Sequence, residues 1–508
     1  DMPEAVDRIN QAIKANEEIL IYGDYDVDGA TAVSLVYRVL ERHHKNIRYY
    51  IPDRYKEGYG ISQQGVEWAR DNNVKLIIAL DCGIKAAKLV RLAKSFGIDF
   101  IIGDHHLPDD DIPPAVAVLD PKQTDCNYPY EELSGCGIGF KLMQAWTASN
   151  NISEDEVLAY LDLVAVSIAS DIVPITGENR VLAAFGIKKL QENPSPGLSA
   201  LMKKAGMDGE ITVTDILFGI GPRINAAGRM DDATDAVRLL TALSEEEAEE
   251  DAELLNERNA ARKLTDKQIT TEALEMIAEW PDGKTKFSTV ICNPGWHKGV
   301  IGIVASRLIE TYHRPTIVLT IADGMATGSA RSIRGFDVHA AICECADLLD
   351  RFGGHKYAAG LSMKEENLEA FISRFEEIVK ATIDPTLLIP ELRIDAELNL
   401  TDIKDKFFGI IKQFGPFGPG NMSPVFTATE VKDSGWSKIV KEEHLKLSVI
   451  QKVKSVQSGI CSGIAFGKAT DFKYVHTGKP FDIAYQLKEN TWNGATSLQL
   501  QVKDIQHD

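Results

Sequence analysis

The sequence predicts an α/β protein: a mostly parallel-sheet domain, a long connecting helix, a second, smaller α/β domain and a C-terminal β-barrel. Three patterns carry that expectation. In the first half of the chain, short apolar runs alternate with amphipathic stretches, as in βαβ units. A strongly charged stretch, 244–280, follows. Beyond Pro385 and Pro390 the pattern changes to short alternating segments, which suits a small barrel. A chain of 508 residues exceeds one core, since domains usually run to about 100–200 residues. The expected domains are 1–243, 244–282, 283–389 and 390–508.

The runs 19–23, 76–80 and 100–103 read as buried parallel strands, being continuously apolar rather than alternating. Each leads into acids or histidines: Asp24-Tyr25-Asp26-Val27-Asp28-Gly29, Asp81-Cys82-Gly83 and Asp104-His105-His106. A fourth acid, Asp171, follows the apolar run 164–170. Residues 30–42 read as a helix with Val33, Val36, Tyr37 and Leu40 on one face, and 86–96 as a second. Ser244-Glu245-Glu246-Glu247 is a capping box that opens the charged helix, and Pro281-Asp282-Gly283 stops it. Segments 288–292 and 316–320 read as strands joined by a helix over 300–311. Arg351-Phe352-Gly353-Gly354-His355 reads as a Gly-rich turn, and 445–449 and 498–502 as barrel strands.

The formal charge of −20 argues against nonspecific nucleic-acid binding by the whole surface. It is uneven, however. From Arg393 onward there are 15 Lys/Arg against 13 Asp/Glu, so the negative excess lies before that point and a local basic groove stays open. No apolar run reaches the ~18 residues of a membrane span, so no membrane association is expected. The start, Asp1-Met2-Pro3-Glu4, has neither the basic nor the apolar region of a signal peptide, and the absence of an initiator Met leaves room for an upstream segment. Seven scattered cysteines form neither a zinc pattern nor a disulfide framework and fit a reducing cytoplasm.

Asp24-x-Asp26-x-Asp28-Gly29 matches the opening of a calcium-binding EF-hand loop. That loop needs a Glu at its twelfth position, where this chain has Leu35, and a helix before it, where this chain has a strand. A magnesium or transition-metal site fits better. Sites in open α/β sheets form beyond the carboxyl ends of the strands. Alternate residues of an extended segment point the same way, which would present Asp24, Asp26 and Asp28 together, with Gly29 turning the chain into the helix. Asp81 could bridge two ions, His105 adds a nitrogen that biases the site toward manganese, and Asp171 closes the set. Any one of these acids alone is usually a helix N-cap; their conjunction at several strand ends is what points to metal.

Asp104-His105-His106 is the signature triplet of the DHH phosphoesterase superfamily, and Gly23 to Gly29, Asp81-Cys82-Gly83 and Ser170-Asp171 resemble its other metal motifs, in the same order. Gly221-Pro222-Arg223-Ile224-Asn225-Ala226-Ala227-Gly228-Arg229 and Trp296-His297-Lys298-Gly299-Val300-Ile301-Gly302 resemble the RecJ branch. Ala330-Arg331-Ser332 and Gly353-Gly354-His355-Lys356-Tyr357-Ala358-Ala359-Gly360 are similar to the associated DHHA1 domain. Phe414-Gly415-Pro416-Phe417-Gly418-Pro419-Gly420-Asn421 is similar to the RecJ oligonucleotide-binding region, which makes the barrel OB-like.

The resemblance implies a 5′→3′ exonuclease on single-stranded DNA that uses Mn²⁺ or Mg²⁺, two ions in all, in DNA repair and recombination. It implies Asp26, Asp28, Asp81, His105 and Asp171 as ligands, Asp24 as a further ligand or supporting acid, and His106 as a phosphate contact or orienting group. Arg223, Asn225, Arg229, Arg331, Ser332, Gly353, Gly354 and His355 would then bind substrate. Arg331 suits bidentate phosphate binding, and a Gly-rich turn exposes N–H groups to phosphate; a tight turn around a buried His, and helix packing for the 221–229 segment, are the plainer readings. The chain departs from the superfamily at Tyr22, where many members carry a ligating His, so the first metal position leans on Asp24. A single-strand-binding protein and a helicase are the partners the family implies. In the barrel, Trp436 with Lys438, Lys441, Lys446, Lys452 and Lys454 suits single-strand binding by stacking and charge. The alternative is a DHH phosphodiesterase acting on short oligonucleotides or cyclic dinucleotides.

Overall fold

Burial of the central strand residues builds the first sheet. β1 (Glu18–Gly23), β2 (Ile47–Tyr50), β3 (Val74–Leu80), β4 (Asp99–Gly103) and β5 (Ala117–Leu119) pair in parallel in the order β2-β1-β3-β4-β5. Ile19, Leu20, Ile21, Ile77, Ile78, Ile101 and Ile102 are fully buried, which is why these runs show no alternation. The computed structural model describes the chain except residues 231, 232, 282, 284, 493, 494 and 508 and the side chains of 230, 491, 492 and 495. Asp282 of the expected helix stop therefore lies outside the described residues.

Register places the acids. Gly23 pairs with Leu80, Leu80 with Gly103, and Gly103 with Leu119. The next residue on each strand is an aspartate, so Asp24, Asp81, Asp104 and Asp120 leave the sheet side by side at its carboxyl rim. The strand order reverses direction between β1 and β3, the switch point at which doubly wound sheets open a crevice.

Two expectations at this rim need correction. The helix after β1 spans Val27–Leu40, not 30–42, so Asp24, Asp26 and Asp28 do not share an extended segment. Asp26 is its N-cap, accepting from the Asp28 and Gly29 backbone N–H groups, and Asp28 stands in the first turn. Gly29 lies inside the helix, where a Cβ would meet the Asp24 carbonyl oxygen at 2.4 Å. The run before Asp171, grouped with the strands, is the helix Leu161–Ser170, and Asp171 is its C-cap. That helix is buried on all sides between Leu163 and Ala169, and periodicity cannot separate such a helix from a buried strand.

Tyr22 points into the core rather than the rim. Its ring stacks on Tyr50, with centroids 5.3 Å apart. Its hydroxyl donates to the Gly60 carbonyl at 3.2 Å and accepts from the Ser62 N–H at 3.1 Å. The Gly60 N–H in turn donates to the Asp24 carboxylate at 3.3 Å, so Tyr22 supports Asp24 through one loop residue.

The charged helix is Glu245–Ala278, capped by Ser244, which accepts from the Glu247 N–H. It is more than a connector, since Ala248, Ala252, Leu255, Asn259, Arg262 and Asp266 are buried along its length. A second sheet follows: β6 (Thr289–Cys292), β7 (Thr316–Ala322), β8 (Met325–Arg331), β9 (Arg351–His355) and β10 (Ala358–Lys364), in the order β6-β7-β8-β10-β9. Residues 351–355, expected as a turn, form edge strand β9, paired antiparallel with β10. All five are exposed and two are glycine, so the segment carries no strand pattern in sequence.

The chain divides into two compact units, 1–173 with 185–390, and 174–184 with 391–508. In the second unit β11 (Ala396–Glu397), β12 (Phe426–Asp433), β13 (Lys438–Val440), β14 (His444–Ile450), β15 (Lys452–Val453), β16 (Val456–Gln457), β17 (Cys461–Ala465), β18 (Phe481–Trp492) and β19 (Ala495–Gln506) are the strands. β12-β18-β19-β17-β14 run as one sheet, and β14 pairs back onto β12, which closes a five-stranded barrel over Val431, Leu447, Val449, Tyr485 and Leu500. Among the described residues no helix is long and apolar enough to cross a membrane.

Replacing Tyr22 by Phe removes one hydroxyl that serves two buried backbone groups. The expected cost is about 1–3 kcal/mol of stability, read as a lower urea midpoint at unchanged m-value.

Candidate metal centre

Three elements aim carboxylates at one imidazole nitrogen. His105 Nε2 lies 3.1 Å from Asp81 Oδ1, and 3.6 Å from both Asp28 Oδ2 and Asp171 Oδ2. The 3.1 Å approach is not aligned as a hydrogen bond: Asp81 Oδ1 and both His105 ring nitrogens are buried without a hydrogen-bond partner. Buried polar atoms left open in this way are costly unless something pairs them. Two sets of side chains, Asp28/His105/Asp171 and Asp81/His105/His106, each bring their donor atoms within 4.8 Å of one another. Carboxylate oxygens with one imidazole suit a divalent ion such as Mn²⁺ or Mg²⁺.

The fold pays attention to charge here. Asp28 accepts from the Gly135 and Cys136 N–H groups at 2.7 and 2.8 Å, at the start of the helix Gly135–Ser149, and from the Ser167 hydroxyl at 2.7 Å. Helix-terminal N–H groups of this kind favour an anion. Asp81 adopts φ 58, and a Cβ on Gly135 would meet its Cβ at 2.6 Å, so only glycine allows the approach. Burial, then the charge of neighbouring aspartates, pushes the carboxyls of Asp24, Asp81 and Asp171 well above the usual carboxylate range, and Asp26 also upward. Burial draws His105 down, toward the neutral imidazole that can ligate.

Asp104 faces the other way and organises the triplet. It accepts from the backbone N–H groups of Ile84, His105 and His106 and sits 2.8 Å from His106 Nδ1. Burial works against its charge, but His106 and these N–H groups outweigh burial and hold it at about 2. Burial likewise opposes the charge of His106, yet Asp104 raises it above an ordinary histidine. His106 Nε2 lies 3.0 Å from the Tyr59 hydroxyl, and its ring stacks on His355 with centroids 6.4 Å apart. Asp24 accepts from the Gly60 N–H through Oδ1 and Asp26 caps its helix through Oδ1; both also act on Asp81 through charge.

In the same unit a cavity of about 250 Å³ is lined by Tyr25, Arg54, Arg229, Lys298, Ser329 and Arg331 among others, and by no acid. The Arg54 guanidinium lies over the Tyr25 ring at 4.9 Å, Arg229 donates to the Gly299 carbonyl, and Arg331 donates to the Ser329 hydroxyl. Burial, then the charges of Arg54, Arg262 and Arg331, brings Arg229 down to about 10. Clustered, partly desolvated guanidinium groups without acids suit an anion.

The substrate-binding expectations divide. Arg229 and Arg331 line this cavity. Arg223 instead donates to Asn256 Oδ1 and the Gly219 carbonyl. Asn225 accepts from the Val27 N–H and supports the start of that helix. Ser332 donates to the Phe336 carbonyl. Gly353, Gly354 and His355 lie on β9, where His355 meets His106. Sequence reasoning missed Arg54, Tyr59, Ser329 and Asp120. Ser329 shares a face of β8 with Arg331 and could have been found by that spacing. Asp120 also follows an apolar run; its Oδ2 is buried without a hydrogen-bond partner, and burial raises it to about 7. Arg54 and Tyr59 sit in a loop with no motif of their own.

A β2-β1-β3-β4-β5 sheet whose carboxyl rim gathers an Asp-His-His triplet with acids from neighbouring elements defines the DHH class. The DHH family N-terminal domain matches residues 18–168, the DHHA1 domain 283–381 and the RecJ OB domain 394–504. A relative from Bacillus subtilis, single-stranded-DNA-specific exonuclease RecJ, is 37% identical over 99% of this chain and 63% of its own length. The exonuclease of that name from Salmonella typhimurium is 34% identical over 99% of this chain and 89% of its own length. The crystal structure of RecJ in complex with Mn²⁺ from Thermus thermophilus superposes with a TM-score of 0.85 at 28% identity, covering all of this chain and 72% of that one. The chain belongs to the RecJ family. It spans about 63% of the length of the Bacillus subtilis relative.

Raised carboxyl pKa values have a sign that can be measured. Asp24, Asp26, Asp81 and Asp171 hold protons in the folded state that the unfolded chain has already lost above about pH 4. Metal-free protein is therefore expected to lose stability as pH rises from 4 toward 8, while added Mn²⁺ stabilises most at the upper end. Thermal unfolding with EDTA and with Mn²⁺ across that range checks both slopes.

Proposed function

We propose that the chain degrades single-stranded DNA by metal-dependent phosphodiester hydrolysis, proceeding from the 5′ end. The observation that carries the reading is the convergence of Asp28, Asp81 and Asp171 on His105, with buried donor atoms left open, in the same unit as an acid-free arginine cavity. Relatives over nearly the whole chain are named single-stranded-DNA-specific exonucleases, and solved RecJ structures carry Mn²⁺ or Mg²⁺.

Asp28, Asp81, His105 and Asp171 would hold the metal, with Asp26 and Asp24 completing a two-ion set. Bound divalent ions supply a nucleophilic water at neutral pH and neutralise charge on the scissile phosphate. The chain's own groups do the rest. His106, whose charged form Asp104 favours against burial, would donate a hydrogen bond to a nonbridging phosphate oxygen as negative charge builds there. Arg54, Arg229, Ser329 and Arg331 hold a terminal phosphate, which fixes the strand end relative to the metal cluster. Tyr25, Tyr59, His106 and His355 form a run of ring contacts suited to the nucleotide itself. In the barrel, Trp436 is 78% exposed, free of any core role, and Lys438 and Lys446 pair across β13 and β14. An exposed aromatic beside paired cations suits a single strand. A helicase that supplies the strand and a single-strand-binding protein that keeps it open are the partners this reading calls for.

Incubation of 5′- and 3′-labelled, 5′-phosphorylated single strands with Mn²⁺ is expected to release label first from the 5′ end. Asp81→Ala should lower turnover by more than about 100-fold, since even groups supporting a ligand are worth about 10–100-fold. Cleavage confined to dinucleotides or cyclic dinucleotides would overturn the exonuclease reading.

Arg331→Ala should raise KM for a 5′-phosphorylated strand about 10–100-fold and abolish preference over a 5′-hydroxyl strand, the size of one charge-assisted phosphate contact. Competition between the two strands measures it.

A further inference from the structure

Ile172 combines three properties that do not ordinarily occur together. Its backbone is left-handed, φ 61, and among the described residues it is the one β-branched side chain in that region; the other non-glycine residues there are Asn, Asp, His, Glu and Lys. Its side chain is not in the core, with 57% of the residue exposed. It directly follows Asp171, whose carboxylate lies 3.6 Å from His105 Nε2.

A β-branched residue at positive φ is a genuine conformational outlier, and strain of this kind persists where function requires it. If the turn alone were needed, glycine or asparagine would supply it without strain. If packing were the reason, the side chain would be buried, as Val173 immediately after it is. A sec-butyl group offers nothing to a phosphate or a metal ion. What remains is an exposed apolar side chain one residue along the chain from Asp171, with consecutive Cα atoms about 3.8 Å apart.

We propose that Ile172 contacts the substrate, packing on the sugar and base face of the nucleotide whose phosphate the cluster receives. This rests on the function proposed above and deepens it by naming a positioning residue for the strand. Orientation of the nucleotide then depends on a side chain that costs the folded protein stability.

The test compares Ile172→Gly, Ile172→Asn and Ile172→Val in the full chain. Glycine and asparagine accept the left-handed backbone but carry no apolar surface; valine keeps both the surface and the strain. The expected result is a Tm raised by about 1–3 °C for Gly and Asn, with Mn²⁺ affinity by calorimetry unchanged. KM for a single-stranded oligodeoxynucleotide should rise about tenfold for both, and Val should restore it. Gly and Asn variants with wild-type KM would overturn the inference while leaving the exonuclease reading intact. So would a lowered Tm, which would make Ile172 a packing residue, or weakened Mn²⁺ binding, which would make it a support for Asp171. A wild-type protein that leaves single strands uncut would overturn both.

Discussion

Mutual repulsion among buried carboxylates at the sheet rim constrains everything around it. Asp24, Asp26, Asp28, Asp81 and Asp171 come together where water is scarce, and each raises the cost of ionising its neighbours. The surrounding structure is arranged to tolerate this. Two helices begin at the rim, one capped by Asp26 and one presenting N–H groups to Asp28. Asp104 directs its own charge at His106 and the backbone, and its charge still raises the neighbouring Asp120. Even so, atoms of Asp81 and His105 remain buried without protein partners. A centre in this condition is built to be completed by a cation, because protein dipoles alone do not neutralise it.

The sheet and its acids were legible because both depend on local pattern. Continuous apolar runs ending in Asp24, Asp81 and Asp104 mark buried parallel strands and what leaves them. What could not be read were positions set by tertiary context. The helix before Asp171 is buried all round, which erases the 3.6-residue period. β9 is an exposed edge strand with two glycines, so it lacks the period of two. Tyr22 reads as a substituted ligand only by its place in the motif; it lies inside β1, short of the rim, with its ring stacked on Tyr50.

The arginine cavity was half legible for a related reason. Arg229 and Arg331 lie in recognisable segments, whereas Arg54 comes from a loop that has meaning only once folded against them. Residues far apart in sequence thus line one cavity, while Arg223 and Asn225, equally suggestive in sequence, make hydrogen bonds with Asn256 and Val27 outside that lining.

The aligned strand ends set a limit on how this rim can change over time. Gly23, Leu80, Gly103 and Leu119 stand in one row, so the following acids depart from a common line. Losing or gaining one residue within any of these strands would move its acid by about 3.3 Å and turn it to the opposite face. Sequence drift can therefore lengthen or shorten the loops beyond the rim, but insertions and deletions inside β1, β3, β4 or β5 would dismantle the centre at a stroke. Divergence in this protein should accumulate as loop-length change and point substitution, with the spacing inside each strand left untouched.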